Sequence, residues 1–176
     1  MRKLAAALLL ALSSGCISFD VEWERVEPAS AVVQEGGFRL ALPVGWARSG
    51  NFLTRDGGML HGILFRALRD DERGLDAARE APDVRGFRCT EFERDGLHLR
   101  HASFEASLTA VGCGLGDLAT WFLRPLEAEG RYELVQIEAA SGGALLLVYL
   151  APPLYYFERD LPAFEALVAS VELAAD

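Results

Sequence analysis

The sequence predicts an α+β domain in which an antiparallel sheet is flanked by helices. Short apolar runs recur along the 176-residue chain, and turns of hairpin length separate them. Connections this short favour antiparallel pairing, because parallel strands need a long crossover. Two further segments carry apolar residues at helical spacing instead. The part that follows the first 15 residues suits one domain with its own core.

Residues 1–15 have the pattern of an export signal. Arg2 and Lys3 precede the apolar run 4–12, and small residues then lead to Cys16. Such a run is too short to cross a hydrocarbon core of about 30 Å as a helix. It therefore predicts a cleaved signal peptide rather than a membrane span.

The stretch Ser13-Ser14-Gly15-Cys16 resembles the lipobox of bacterial lipoproteins. The resemblance implies that Cys16 is lipidated and anchors the mature chain on the periplasmic face of the bacterial cell envelope. Ile17, rather than Asp, follows the cysteine, which implies sorting to the outer membrane. Ser13 stands where the lipobox usually has Leu, and Ser13 with Gly15 also suits the ordinary signal peptidase. A soluble periplasmic product is therefore the alternative.

The strands are expected to follow a lipidated N-terminus and linker at residues 16–35, within a single domain at residues 36–176. Apolar runs predict strands at residues 38–42, 52–55, 59–68, 86–94, 97–107, 118–126, 131–140 and 144–150. Asp56-Gly57 and Asp95-Gly96 lie between such runs and are typical of β-hairpin turns. The run 144–150 is apolar throughout, which predicts a central strand covered on both faces.

Two segments have helical spacing. Residues 70–81 have acids at their start and Pro82 after their end, which predicts a short helix with a thin apolar face. The second helix is expected to begin at Asp160 as its N-cap. Its apolar stripe consists of Phe164, Leu167, Val168 and Val171, at i, i+3, i+4 and i+7. We expect this stripe to pack against the sheet.

The charge of the chain argues against nucleic acid as a partner. The net charge is −9, and removing Arg2 and Lys3 with the signal peptide takes it to −11. An acidic chain repels phosphate backbones and anionic lipid headgroups. Contact with the membrane is therefore expected through the lipid anchor.

Cys89 and Cys113 remain after Cys16. An oxidising compartment makes a disulfide between them plausible, worth roughly 3 kcal/mol in the chain-entropy model. The alternative is two buried thiols that act as small apolar side chains. The sequence leaves both open.

No residue pattern predicts catalysis, a metal site or a cofactor. His98 and His101 are three apart in a predicted strand, so they point to opposite faces and do not share a metal. The chain lacks a Gly-x-Ser-x-Gly motif that would present a serine nucleophile. We therefore expect a protein that is not an enzyme.

The stretch from Phe38 to Trp46, with its Pro43-Val44-Gly45-Trp46 corner, resembles the opening of PsbP-like domains. The stretch from Tyr155 to Phe164, followed by Ala169-Ser170-Val171, is similar to the closing element of that family. The resemblance implies an α/β/α sandwich around an antiparallel sheet over residues 36–173. Family members include extrinsic subunits of photosystem II, a nuclear-transport GTPase regulator and bacterial lipoproteins, and most act by binding.

Three aromatic residues beside Pro152-Pro153 are the candidate contact residues: Tyr155, Tyr156 and Phe157. In an exposed loop they would recognise a partner, and otherwise they would fill the end of the sheet under the last helix. The sequence thus favours a non-catalytic binding or assembly module with a protein partner in the envelope. The alternative is a carrier or sensor of a small apolar ligand held between sheet and helix.

Overall fold

Two antiparallel sheets form most of the structure. The computed structural model describes residues 22–57, 61–107, 129–152 and 155–174. The helices are α1 (Leu75–Glu80) and α2 (Tyr155–Ala169), with a 3-10 turn at Pro28–Ser30. The strands are β1 (Glu24–Arg25), β2 (Val32–Glu35), β3 (Phe38–Ala41), β4 (Ala47–Ser49), β5 (Phe52–Thr54), β6 (Gly62–Leu68), β7 (Arg85–Arg94), β8 (Leu97–Ser107), β9 (Glu129–Ala139), β10 (Ala144–Ala151) and β11 (Glu172–Leu173).

The main sheet has eight strands in the order β1-β4-β5-β6-β10-β9-β8-β7. Its ladders are antiparallel, as the short connections predicted. The turn Asp95-Gly96 joins β7 to β8 with positive φ angles of 51° and 78°, the conformation that an Asp-Gly hairpin favours. β10 lies between β6 and β9, and its residues 145–151 are buried. The predicted central strand is confirmed.

A second sheet of three strands, in the order β11-β3-β2, closes the fold. β3 leads into the Pro43–Trp46 corner, where Gly45 has a φ of +84° that suits glycine. The corner turns the chain from the small sheet into β4 of the main sheet. At the other end of the chain, the amide of Ala174 donates to the carbonyl oxygen of Gly37 at 2.9 Å. The last strand is thereby joined to the first hairpin.

Both helices differ in extent from the sequence prediction. α1 is shorter than the expected segment 70–81, although Leu75 and Ala78 are buried on one side as expected. α2 begins at Tyr155, five residues before the expected start at Asp160. None of the helices in the described part of the chain is long and apolar enough to cross a membrane.

The core consists of two apolar clusters on opposite faces of the main sheet. On one face, Phe164 and Leu167 of α2 pack with Phe38 and Leu40 of β3 and with strand residues such as Leu147. We call this the α2 face. On the other face, α1 packs with a row of stacked rings, Phe87, Phe104 and Tyr132, whose centroids are 5.8 and 5.1 Å apart.

The predicted α+β class, with helices flanking the sheet as in an α/β/α sandwich, is wrong. The described residues contain eleven strands and two α-helices, so the fold is largely β. The sequence predicts a single sheet, so the alternating residues 38–42, which include β3, are expected to join the same sheet as the later strands. Alternation shows that a strand has one buried face, but it does not show which sheet the strand joins. Here β3 belongs to the second sheet, which covers much of the α2 face.

The ordered fold starts earlier than residue 36. β1 and β2 lie within residues 16–35, and Val26 and Ala31 are buried there. The signal peptide, Cys16, Cys113 and the predicted strand 118–126 lie outside the described residues.

Candidate functional site

The three candidate aromatic residues lie in the first turn of α2 rather than in a loop. Tyr155 is 70% exposed and Tyr156 is 41% exposed, whereas Phe157 is only 1% exposed. Two of the three rings therefore face solvent, and the third fills the core, so recognition of a partner stays a prediction. The helix extends to them because Phe157 continues the apolar stripe of α2 seven residues before Phe164.

Tyr149 of β10 holds this turn in place. Its hydroxyl lies 2.9 Å from the carbonyl oxygen of Phe157 and 3.0 Å from that of Tyr156, and it donates to them. The Tyr149 ring packs against Phe157 and Phe164, with centroids 5.0 and 5.7 Å apart. Burial raises the pKa of Tyr149, with Asp160 adding to the effect, so the hydroxyl stays protonated and remains a donor. The start of α2 is thus attached to the central strand.

Asp160 is a buried carboxylate between two arginines, and its expected role as N-cap is wrong. It lies in the second turn of α2, 1% exposed. Arg159 binds it through two hydrogen bonds, one of them 2.8 Å long, and Arg55 Nη1 lies 3.3 Å from its Oδ1. The hydrogen bond to Asp160 raises the pKa of Arg159 further. A buried carboxylate is tolerated only when it is paired in this way.

Arg159 also lies under the two exposed rings. Its guanidinium carbon is 5.1 Å from the centroid of Tyr156 and 5.6 Å from that of Tyr155. The two tyrosine rings meet edge to face at 5.6 Å. The cation and both π faces are within the range of cation–π attraction. Asp160 therefore positions Arg159, and Arg159 positions the tyrosines.

The turn after β5 completes the arrangement. The His61 ring stacks on Tyr156 with centroids 4.8 Å apart. Nε2 of His61 lies 2.9 Å from Oδ1 of Asp56, within ion-pair distance although the atoms are not aligned as a hydrogen bond. Asp56 in turn lies 3.7 Å from Arg159. The α2 cluster, as we call it, comprises Arg55, Asp56, His61, Tyr155, Tyr156, Arg159 and Asp160.

The α2 cluster has the chemistry of a binding surface. Its two arginines and two aspartates balance in charge and are paired with each other. Its exposed groups include the tyrosine rings and hydroxyls over a guanidinium, which offer flat apolar contact together with hydrogen bonds, and the half-exposed side chains of Arg55 and Asp56.

The other histidines lie where the strand period predicted. His98 Nδ1 is 2.8 Å from Glu93, and His101 Nε2 is 2.8 Å from the buried carboxylate of Glu133. His101 is on the α2 face with Leu99, and His98 is on the opposite face, so their predicted separation is confirmed. Ser103 is opposite Glu133 in the ladder. Its hydroxyl makes no hydrogen bond to His101 in the described structure, and no described group of three potential ligands could hold a metal ion.

Cys89 is an exposed cysteine on β7 that forms no disulfide with any described residue. Partial burial of its sulfur raises the pKa of this thiol. Because Cys113 lies outside the described residues, the disulfide between Cys89 and Cys113 stays a prediction, as does the lipidation of Cys16. Peptide mapping without reduction would decide the first.

Sequence reasoning missed the ion pairs of Asp160. A signal was present, because Asp160 lies three residues after Phe157 and four before Phe164, on the buried side of the helix. A carboxylate at such a position needs a cationic partner. The partner Arg55 is over a hundred residues away, and no local pattern identifies it.

The likenesses of this chain to known proteins are structural. No protein-family model matches the sequence, and no curated protein matches it. The chain is similar to cyanobacterial PsbP (CyanoP) from Synechocystis, with 10% identity and a TM-score of 0.44 over 93% of this chain and 99% of that one. It is also similar to a protein from Bacteroides thetaiotaomicron, with 10% identity and a TM-score of 0.33 over 82% of this chain and 50% of that one.

The likeness to a PsbP protein is a weak structural similarity. At this identity and TM-score it assigns no ligand, partner or activity to the chain. Membership of the PsbP-like family stays a prediction.

Proposed function

We propose that the protein is a lipid-anchored component of the bacterial envelope, and that it acts as a non-catalytic binding module through the α2 cluster. The observation that supports the binding surface is the pair of exposed tyrosines held over Arg159. The anchor rests on the sequence around Cys16. Tyr155 and Tyr156 would contact a protein partner in the envelope.

The composition of this surface suits protein recognition. Tyrosine and arginine are enriched among the residues that contribute most to protein–protein binding. The Tyr155 and Tyr156 rings stand out from the molecule, while the apolar residues behind them are buried. Covering the two rings does not leave the guanidinium beneath them without a partner, since Arg159 is already paired with Asp160.

The rigidity of the cluster also favours binding. Tyr149 fixes the backbone of the first turn, and His61 and Arg159 restrict the Tyr156 ring. Side chains that are ordered before binding lose less conformational entropy when the complex forms. We therefore expect contact residues that change little in conformation between the free and bound protein.

We favour a surface over an internal ligand site because the space between β10 and α2 is filled. Tyr149, Phe157 and Phe164 pack there with ring centroids 5.0 and 5.7 Å apart, and all three are buried. A carrier of an apolar ligand would need this space open.

Photocrosslinking in intact cells tests the proposal. A benzophenone amino acid placed at Tyr155 of the full chain should form a discrete adduct with an envelope protein on illumination. The matched control is the same group at Glu165, which is exposed on the same helix. Equal adducts at the two positions, or no adduct at Tyr155, would exclude the α2 cluster as the contact surface.

Substitutions of Tyr155 test whether its ring contributes to binding. With the benzophenone group moved to Glu158, on the same helix turn, Tyr155→Phe should keep most of the adduct and Tyr155→Ala should lose most of it. Unchanged adduct yield in Tyr155→Ala would show that this ring does not contribute to binding.

A further inference from the structure

β7 is a long strand at one edge of the main sheet, as far as the structure describes it. It pairs with β8 on one side and ends the main sheet, and within the described part of the chain no strand pairs with its outer side. Its ten residues are exposed apart from Phe87 and Arg94, which are half-buried. No described strand therefore uses the outer row of its backbone amide and carbonyl groups.

The two edges of the main sheet differ. The opposite edge is β1, which has two residues and offers little backbone for pairing. Proteins usually protect an edge with bulges, prolines, short strands or charged side chains, and β7 carries charges at Arg88, Glu91, Glu93 and Arg94. β7 has a bulge only between Arg85 and Arg88, and the stretch 88–94 continues as a regular ladder. Seven consecutive residues thus present an uninterrupted edge.

The side chains of β7 would be complementary to those of a second, antiparallel copy of β7 if Thr90 lay at the centre of the pairing. Arg88, Thr90 and Phe92 are on the α2 face, because they pair with Ser103, His101 and Leu99 in the ladder. Arg88 makes no ion pair with any described residue, and Phe92 is 44% exposed. When two antiparallel copies of a strand extend one sheet about a two-fold axis, residues at equal distances from the centre face each other. Centred on Thr90, Arg88 of each copy meets Phe92 of the other.

Other centres give poorer pairs. A centre at Arg88 places two arginines opposite each other, and a centre at Glu91 places two glutamates opposite each other. Like charges directly opposite each other destabilise a sheet. A centre at Cys89 places Phe92 opposite Gly86, at the bulge. The centre at Thr90 instead gives a Thr–Thr pair and two cation–π pairs, and these combinations are favourable across strands.

We propose that β7 binds β7 of a second copy of this chain, antiparallel and centred on Thr90, so that the two main sheets form one continuous sheet. The dimer covers Phe92 and supplies each Arg88 with an aromatic partner. The opposite edge of the sheet, with β1, stays outside this interface. The α2 cluster is formed by other elements, so this inference is independent of the proposed partner surface.

Cysteine crosslinking tests the pairing and its centre. In the full chain with Cys89→Ser and Cys113→Ser, Thr90→Cys should convert most of the protein to a disulfide-linked dimer when intact cells are oxidised. Arg88→Cys is the matched control on the same face. In the proposed pairing, the cysteines introduced at position 88 of the two chains are four positions apart, about 13 Å along the strands. Arg88→Cys should therefore form little disulfide-linked dimer. The parent protein, with serine at positions 89 and 113, measures any disulfide-linked dimer that forms through Cys16.

No dimer from Thr90→Cys would overturn the proposal, and equal dimer from Thr90→Cys and Arg88→Cys would overturn the assigned centre. Sedimentation of the purified full chain in detergent provides a measurement without new cysteines. Phe92→Glu should shift the dimer toward monomer by at least tenfold in dissociation constant. Val44→Glu, at an exposed apolar residue away from β7, should leave it unchanged. Equal effects of the two substitutions would also contradict the interface.

Discussion

At the scale of single residues, Asp160 connects the buried side of α2 with its exposed tyrosines. Its carboxylate is buried and paired with Arg159 and Arg55, and Arg159 supports the two exposed tyrosines. The pair therefore links helix stability to the geometry of the surface. A change at Asp160 should affect both.

Asp160→Asn is expected to destabilise the protein by about 2 kcal/mol. Removing one partner of a fully buried ion pair costs roughly 3–5 kcal/mol, and the effect here is smaller because the Arg55 side chain is about half exposed and can be hydrated. Urea unfolding measures the difference, with Glu165→Gln as the exposed control on the same helix. Matching midpoints for the two variants would show that the arginines do not depend on Asp160.

At the scale of elements, the sequence predicted which face of α2 packs on the core but not the residue at which α2 begins. Phe164, Leu167 and Val171 are buried and Glu165 is exposed, as the apolar stripe indicated. The periodicity alone was sufficient for this result, because a stripe of that kind must face a core. α2 starts at Tyr155 because Phe157 and Tyr149 contact each other, and this contact is not visible in a local pattern.

Phe164→Ala should cost on the order of 3–5 kcal/mol, a large part of a stability of roughly 5–15 kcal/mol. The ring lies between Tyr149 and the residues of β3, so its loss leaves a cavity between the two sheets and the helix. Glu165→Ala should change stability by less than about 1 kcal/mol. Urea unfolding of the two variants decides the matter, since equal midpoints would contradict the packing of α2.

The strands show how far the sequence determines the fold. The turn Asp95-Gly96 predicted the hairpin of β7 and β8, because few residues adopt two successive positive φ angles. The apolar run of β10 predicted a central strand. The division into two sheets was not predictable, since the pairing of β11 with β3 joins residues over 130 positions apart. Long-range pairing depends on the shape of the whole core, to which one segment contributes little.

At the scale of the whole molecule, the position of β1 relates the sheet to the proposed anchor. Cys16 precedes Glu24 by eight residues, which span at most about 28 Å when extended. A lipid on Cys16 would therefore hold the β1 edge of the main sheet close to the membrane. β7 is at the opposite edge of the sheet.

Cys16→Ala tests the anchor. Because Cys16 is the residue that the lipobox resemblance assigns to the lipid, the variant should move from the membrane fraction to the soluble periplasm or remain unprocessed. Radiolabelled palmitate should mark the unaltered protein and not the variant. If the unaltered protein carries no lipid and fractionates as soluble, Ser13 has directed the chain to the ordinary signal peptidase.

The pairing of β11 with β3 sets an order of folding. β3 is among the first strands to be synthesised, yet within the described residues its edge opposite β2 pairs only with residues 172–173, and Ala174 then donates to Gly37. The second sheet is therefore incomplete until nearly the whole described chain has left the ribosome or the translocation channel. We therefore expect ribosome-bound chains that end before residue 172 to be digested by proteases more readily than chains that extend past residue 174.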